Sequence, residues 1–384
     1  MKYTKLKNIN EFIGENINPM KMPDTIFEMY SVPIFETGHP EYLHGNEIGS
    51  NKVVVKKNDV LLCKINPRIN RVWVVADESK YQNIASSEWI VVRNGEYNPE
   101  YLAWYFRCEC FKKLMVSEVT GMGGSLTRAQ PKAVAEYPVP VVERSEQDKI
   151  VEILNKADKI IKQRKEELRI LDDLIKARFV EIFSQGKHKL VKASEVCDFI
   201  TKGTTPPAGE IIEEYGEGMI PFLKVYNLSF TGELLFDDNP QYIPKETHNG
   251  KLARSKVYPN DVLMNIVGPP LGKFTIVTDE YEEWNINQAI AIFRAKERIL
   301  PRFLLHALMQ PTVLEPFIGQ AVGIRQQNLS LEQCRNLQFP LPSIEEQQAF
   351  VKFAEQIDKS KVAVQKALEE TQTLFNSLMQ EYFG

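Results

Sequence analysis

The sequence predicts an α+β fold: two repeated β-rich mixed domains separated by two long helices that pack on each other as a coiled coil. Three observations predict it. Peptides recur in order along the chain: Asn58-Asp59-Val60-Leu61 returns as Asn260-Asp261-Val262-Leu263, and Tyr137-Pro138-Val139-Pro140 as Phe339-Pro340-Leu341-Pro342, both displaced by 202 positions. Short β-branched and aromatic runs bounded by Asn, Pro or Gly fill the stretch before each Pro-x-Pro. Two closing stretches carry apolar residues at a period of 3.5, the seam of a coiled coil. An antiparallel pair of such helices would relate the two halves by a pseudo-two-fold axis.

The repeat divides the chain into a mixed domain (1–142), a long helix (143–186), a second mixed domain (187–342) and a second long helix (343–384). Glu11-Phe12-Ile13 corresponds loosely to Asp198-Phe199-Ile200 at the starts. In the first domain Lys52–Val55, Arg71–Val75 and Glu88–Val92 read as strands; Phe274–Thr278 and Ala289–Phe293 match them in the second. A short helix is expected at Pro99–Leu114 and at Pro301–Leu314, each opened by a proline where no N–H is needed. Both long helices open on capping-box spacing, Ser145 with Asp148 and Ser343 with Glu346. Glu146-Gln147 and Glu346-Gln347 repeat in the same turns. The first seam runs Ile150, Leu154, Ala157, Ile161, Arg164, Leu168, Leu171, Ile175, Arg178, Ile182. The second runs Phe350, Ala354, Ile357, Lys361, Val364, Leu368, Thr371, Phe375, Leu378, Tyr382. A rod of this length, roughly 57 Å at 1.5 Å per residue, needs a partner for its seam, and its own repeat offers one. Gly186 supplies a stop after the first helix.

With 384 residues, 43% hydrophobic and 26% charged, the chain can bury more than one ordinary core. No run approaches the ~18 apolar residues of a membrane span, and Met1–Asn8 lacks a signal-peptide stretch. Five unevenly spaced cysteines read as reduced thiols, so a cytoplasmic protein is expected; Cys108 and Cys110 stand too close for the usual zinc knuckle. The formal charge is −4, and residues 1–143 carry 17 basic and 17 acidic side chains, residues 187–342 16 and 18. Neither domain is a basic block, so any grip on DNA must come from patches.

Catalytic motifs are scarce. Gly268-Pro269-Pro270-Leu271-Gly272-Lys273-Phe274 has three residues between its glycines, not the four of a phosphate loop, and Phe274 stands where a Mg²⁺-binding hydroxyl belongs. Gly121–Ser125 reads as a turn rather than a cofactor fingerprint, and the histidines form no motif with a nucleophile. Asp59 followed by Glu78-Ser79-Lys80 loosely fits a metal-dependent nuclease, and a protein–protein scaffold without DNA is the other alternative. No Asn-Pro-Pro-Tyr or Asp-Pro-Pro-Tyr of an adenine methyltransferase is present.

Two β-rich units, each closing in Pro-x-Pro, Glu-Gln and a long helix, resemble the specificity subunit of a type I restriction-modification system. Gly203-Thr204-Thr205-Pro206 and Lys64-Ile65-Asn66-Pro67-Arg68 support the resemblance, which covers the whole chain; the first unit lacks a Gly-Thr-Thr-Pro equivalent. The resemblance implies a non-catalytic subunit whose mixed domains are target recognition domains, each reading half of a split double-stranded DNA sequence. It implies that the two long helices form an antiparallel coiled coil spacing the domains, with two modification (methyltransferase) subunits docked on the helices and restriction (motor-nuclease) subunits completing the complex. No cofactor is implied for this chain; S-adenosylmethionine belongs to the modification subunit. Because the halves differ in sequence, the target should be asymmetric. The candidate DNA-facing cluster of the first unit is Lys64, Asn66, Arg68, Asn70 and Arg71, where cations can hold phosphates and Asn or Arg can read base edges. In the second unit the candidates are Thr204, Thr205, Lys273, Arg325, Gln326 and Gln327.

Overall fold

The computed structural model describes residues 2–76, 78–117, 119–120, 127–183, 186, 188–318 and 328–384. The Gly121–Ser125 stretch and the candidates Arg325, Gln326 and Gln327 lie outside the described residues. The chain divides into two units: Met1–Arg164 with Ala367–Gly384, and Lys165–Lys366.

In the first unit, β-branched and aromatic residues build two small sheets. Val72–Val74, Val60–Cys63 and Trp89–Val92 lie side by side and antiparallel. A five-stranded sheet takes the order Asn16–Ile17, Lys52–Val54, Gln82–Ala85, Ile26–Tyr30, Glu41–His44, with one parallel pair, Ile26–Tyr30 beside Gln82–Ala85. The Pro-x-Pro strand Pro138–Val141 pairs with Lys2–Lys5, tying the domain's end to its beginning. The proline-bearing strand tolerates this because a two-stranded ribbon leaves it a free edge.

The second unit repeats the plan. Cys197–Lys202, Ile290–Ala295, Val262–Asn265 and Phe274–Ile276 form one antiparallel sheet. Tyr242–Pro244, Met219–Leu223, Trp284–Ile286 and Lys256–Val257 form another, again with one parallel pair, Met219–Leu223 beside Trp284–Ile286. Gln338–Pro340 pairs with Leu190–Lys192 as the closing ribbon.

The recurring peptides have structural work in both units. Asn58 and Asn260 adopt left-handed backbone at φ 71° and 73°, which turns the chain into the strand that follows. Asp59 and Asp261 are buried and accept paired hydrogen bonds of 2.7–2.8 Å from Arg93 and Arg294. Each also accepts from a backbone N–H three residues earlier, Lys56 and Tyr258. The same arginines lie over Phe12 and Phe199, 5.1 and 5.3 Å from the ring centroids, which gives the loosely matched starts a physical basis. Gln147 and Gln347 are buried staples. Gln147 accepts from the Asn98 N–H and donates to the Val142 carbonyl; Gln347 accepts from the Leu300 N–H and donates to Pro342 and Arg298. Each glutamine thereby fixes the start of a long helix to the start of a short one.

The long helices span Arg144–Phe183 and Ile344–Phe383. They run antiparallel within each unit. In the first, Ile150, Val151 and Leu154 share a core with Phe375, Leu378, Met379, Tyr382 and Phe383. In the second, Ile175, Phe179 and Phe183 share one with Phe350, Ala354 and Ile357. The described seam departs from expectation near its end: Arg178 is exposed and bonded to Glu181, while Phe179 is buried. Steps of four from Ile175 to Phe179 to Phe183 follow the natural 3.6-residue period, which carries position 178 away from the partner. Lys361 stays in the seam, buried, with Asp172 at 2.7 Å, Glu233 at 3.0 Å and Asp358 at 3.8 Å. Burial pulls its ammonium down, but the hydrogen-bonded carboxylates of Asp172 and Glu233 outweigh that and raise it.

Two other expectations are corrected. The short helices are each broken in two: Pro99–Arg107 and Glu109–Ser117 are separated by an extended Cys108, and Pro301–Leu308 and Pro311–Ile318 by Met309 and Gln310, which precede Pro311. The reciprocal capping box exists at Ser343 and Glu346 but not at Ser145. The first helix begins at Arg144, so Ser145 lies inside it, and the shorter Asp148 side chain bonds instead to Asn98 and Arg144. No helix among the described residues is long and apolar enough to cross a membrane.

Candidate nucleic-acid interface

The Lys64–Arg71 candidates occupy a hairpin loop between the strands Val60–Cys63 and Val72–Val74. The loop folds as a single 3₁₀ turn, Pro67–Ile69, flanked by Asn66 (φ 46°) and Asn70 (φ 53°), both left-handed. Asparagine tolerates that conformation better than most residues, so these two shape the backbone whatever else they do. The Cys63 N–H bonds to the Arg71 carbonyl at the base, and the loop is pinned from the side by Asn66 N–H to Thr127 and by Ala129 N–H to Lys64.

The loop brings the five residues together unequally. Arg68 is exposed and has no charged partner among the described residues. Lys64 donates to the Ser87 carbonyl at 2.7 Å and lies 4.0 Å from Glu88. Arg71 is half-buried, 3.7 Å from Glu36, its Nε without a hydrogen-bond partner, and the Oδ1 of Asn70 is likewise buried and unpartnered. Two residues absent from the sequence candidates complete the place. Arg128, bridged to Ile65 across the loop, sends its guanidinium 3.2 Å from Glu88, which thus lies between two cations. The distance along the chain from 64 to 88 and 128 hid them; only strand pairing joins them.

In the second unit the equivalent hairpin loop is Ile266–Lys273, between Val262–Asn265 and Phe274–Ile276. Its left-handed positions are Gly268 (φ 86°) and Gly272 (φ 97°), the places of Asn66 and Asn70. Asn265 N–H bonds to the Lys273 carbonyl, and Leu329 N–H to Ile266, as Cys63 and Ala129 do in the first unit. The stretch that superficially resembles a phosphate loop is therefore this hairpin. Buried Asn265 braces it, donating to Pro270 and accepting from the Lys273 N–H. Lys273 occupies the place of Arg71 and lies over the Phe230 ring at 5.7 Å. Thr204 accepts from Arg254 at 3.0 Å, Thr205 is exposed, and no hydrogen bond or ion pair among the described residues joins them to Lys273. Gly203 has a separate reason: a Cβ there would collide with the carbonyl oxygens of Ile286 and Asn287.

The nuclease alternative fails on geometry. Both Asp59 oxygens are bonded to Arg93, and Asp261 repeats the arrangement, so neither carboxylate is left to hold a metal. Glu78 lies 3.4 Å from His39.

The family model for the type I restriction modification DNA specificity domain matches residues 6–169 and again 186–371. The MjaVIII type I restriction enzyme specificity subunit of Methanocaldococcus jannaschii is 22% identical over 351 residues, covering 85% of this chain and 80% of its own. A solved chain from work on complex assembly and conformational transition of the type I R-M system is similar in fold, with a TM-score of 0.58 and 21% identity, covering 100% of this chain and 97% of that one. The type I restriction-modification S subunit from M. genitalium gives a TM-score of 0.55 at 14% identity, covering 100% and 96%. With the specificity domain present twice across most of its length, the chain belongs to the type I restriction-modification specificity subunits, which recognise DNA and are not themselves catalytic.

Proposed function

We propose that this chain reads a split, asymmetric duplex target, each unit contacting one half through its hairpin loop, 64–71 in the first and 266–273 in the second. The observation that carries this reading is one backbone arrangement used twice with different chemistry at the loop. Arg68, Arg71, Asn66 and Asn70 stand where Pro270, Lys273, Gly268 and Gly272 stand in the other unit. Arg and Asn side chains on a rigid turn, exposed Arg68 foremost, can make bidentate contacts to guanine and adenine edges, and Lys273 can hold a phosphate. Thr204 and Thr205, and Arg325 to Gln327, are proposed as additional contacts of the second unit.

We infer further that two modification subunits, carrying S-adenosylmethionine, dock along the long helices, with restriction subunits completing the complex. Ile153 and Ile160 of the first helix are exposed and seven residues apart, so within the first unit they share one face, and that face lies off the seam. Ile170 adds to the exposed apolar surface. A partner helix is a physically reasonable cover for it.

The test is methylation mapping with the chain co-expressed with its modification subunit. Exchange of residues 187–338 for the corresponding segment of a related subunit is expected to alter one half of the methylated sequence. A change in both halves, or in neither, would refute independent reading.

A further inference from the structure

We propose that Glu88 is a positioning residue for specificity in the first unit: it neutralises Lys64 and Arg128 until a fitting DNA half-site takes those cations from it. The proposal deepens the reading of the 64–71 loop as DNA-facing and rests on it. Glu88 sits at the rim of the hairpin, 3.2 Å from Arg128 and 4.0 Å from Lys64, and one of its oxygens is buried without a hydrogen bond. The cations are not fully committed: Lys64 keeps 24% of its side chain exposed and Arg128 52%.

The second unit shows that the fold does not need this arrangement. The Lys64 N–H bonds to the Glu88 carbonyl as the Ile266 N–H bonds to Ala289, and the Ile65–Arg128 bridge corresponds to Val267–Asn328. The three charged positions are thus Ile266, Ala289 and Asn328 in the other unit, on the same backbone. An acid that the scaffold can do without, placed between two cations on a DNA-facing lip, acts on binding. Unpaired cations attract any phosphate backbone. An acid beside them lowers that indiscriminate attraction while leaving a well-placed phosphate or guanine able to compete, which widens the gap between right and wrong DNA.

The experiment uses the chain assembled with its modification subunits. Affinities would be measured across a salt series for the cognate duplex, a duplex scrambled in the first half, one scrambled in the second half, and an unrelated duplex. Glu88→Gln keeps the volume; Glu88→Ala copies the residue that the second unit carries. Both should bind unrelated DNA several-fold more tightly, with the salt slope steeper by about one. Discrimination against the first-half scramble should fall by the same factor, and discrimination against the second-half scramble should stay as in the unsubstituted complex. Arg128→Asn, copying Asn328, should weaken binding and make the slope shallower by about one. Unchanged slope and discrimination in the Glu88 variants, or uniform weakening with a lowered Tm, would overturn the proposal. If the unsubstituted complex itself showed no preference in the first half, the broader reading of the loop would fail instead.

Discussion

The two units agree closely at a few buried pairs and differ in side-chain chemistry at one hairpin whose backbone they share. Asp59 with Arg93 and Asp261 with Arg294, Gln147 and Gln347, and the closing ribbons are matched nearly atom for atom. The loops they support share only a backbone path: two left-handed residues, a base hydrogen bond and a side bridge. A buried ion pair or amide admits few replacements, because removing one partner strands the other. A loop constrained only in its dihedrals admits many, and chemistry can vary there without disturbing the fold. On the proposed reading, the frame would set where a unit reads and the loop would set what it reads.

The matched frame makes the largest prediction. Asp59→Ala and Asp261→Ala each strip a half-buried arginine of its bidentate partner and should cost about 3 kcal/mol in urea unfolding. The two values should agree to within about 1 kcal/mol; a large disparity would mean that the units are alike in outline only. Next come Gln147→Ala and Gln347→Ala, each leaving a backbone N–H without its acceptor at a helix junction. Losses of about 2 kcal/mol are expected in the same measurement.

A third effect should separate the units. Where the first has Trp104, bonded to Asn155, the second has His306, buried against Phe350. Burial, with the charges of Arg302 and Lys361 behind it, pulls the His306 imidazole down to about 3. Unfolded, the same group takes up a proton below about pH 6.5. The unfolded state therefore binds the extra proton between those values. The contribution is complete above about pH 6.5 and is lost as pH falls toward 3, with a slope of at most about 1.4 kcal/mol per pH unit. Stability against pH should be flatter over that range in His306→Leu, and an unaltered slope would remove His306 from the account. The smallest effects concern the loop backbone. Asn66→Gly and Asn70→Gly should change stability by less than about 1 kcal/mol, whereas Gly268→Ala and Gly272→Ala, forced into left-handed dihedrals, should each cost about 1 kcal/mol by thermal unfolding.

Much of the frame was legible because its demands fall on identity. Asn-Asp-Val-Leu, Pro-x-Pro and Glu-Gln recur as letters since a turn, a ribbon and a staple each require particular groups. The seam was legible until Ile175, and then Phe179 replaced Arg178 because a fixed 3.5 step ignores the drift of a real helix. The strand Ile26–Tyr30 and its parallel neighbour Gln82–Ala85 escaped because nothing local announces a pairing more than fifty residues apart. The equivalence of the two hairpin loops was hidden for a different reason. Asn66 and Asn70 match Gly268 and Gly272 in dihedral angle rather than in letter, so only a comparison of residues that tolerate positive φ would have aligned them. Glu88 and Arg128 became candidates only once the strands had been laid beside the loop.

The central claim is that loop chemistry on a shared frame decides what each unit reads. Its most direct test replaces residues 64–71 with the sequence of 266–273 and maps methylation by the assembled complex. Retention of the second half-site with loss of preference in the first is the predicted result; loss of both preferences together, or survival of both, would contradict it.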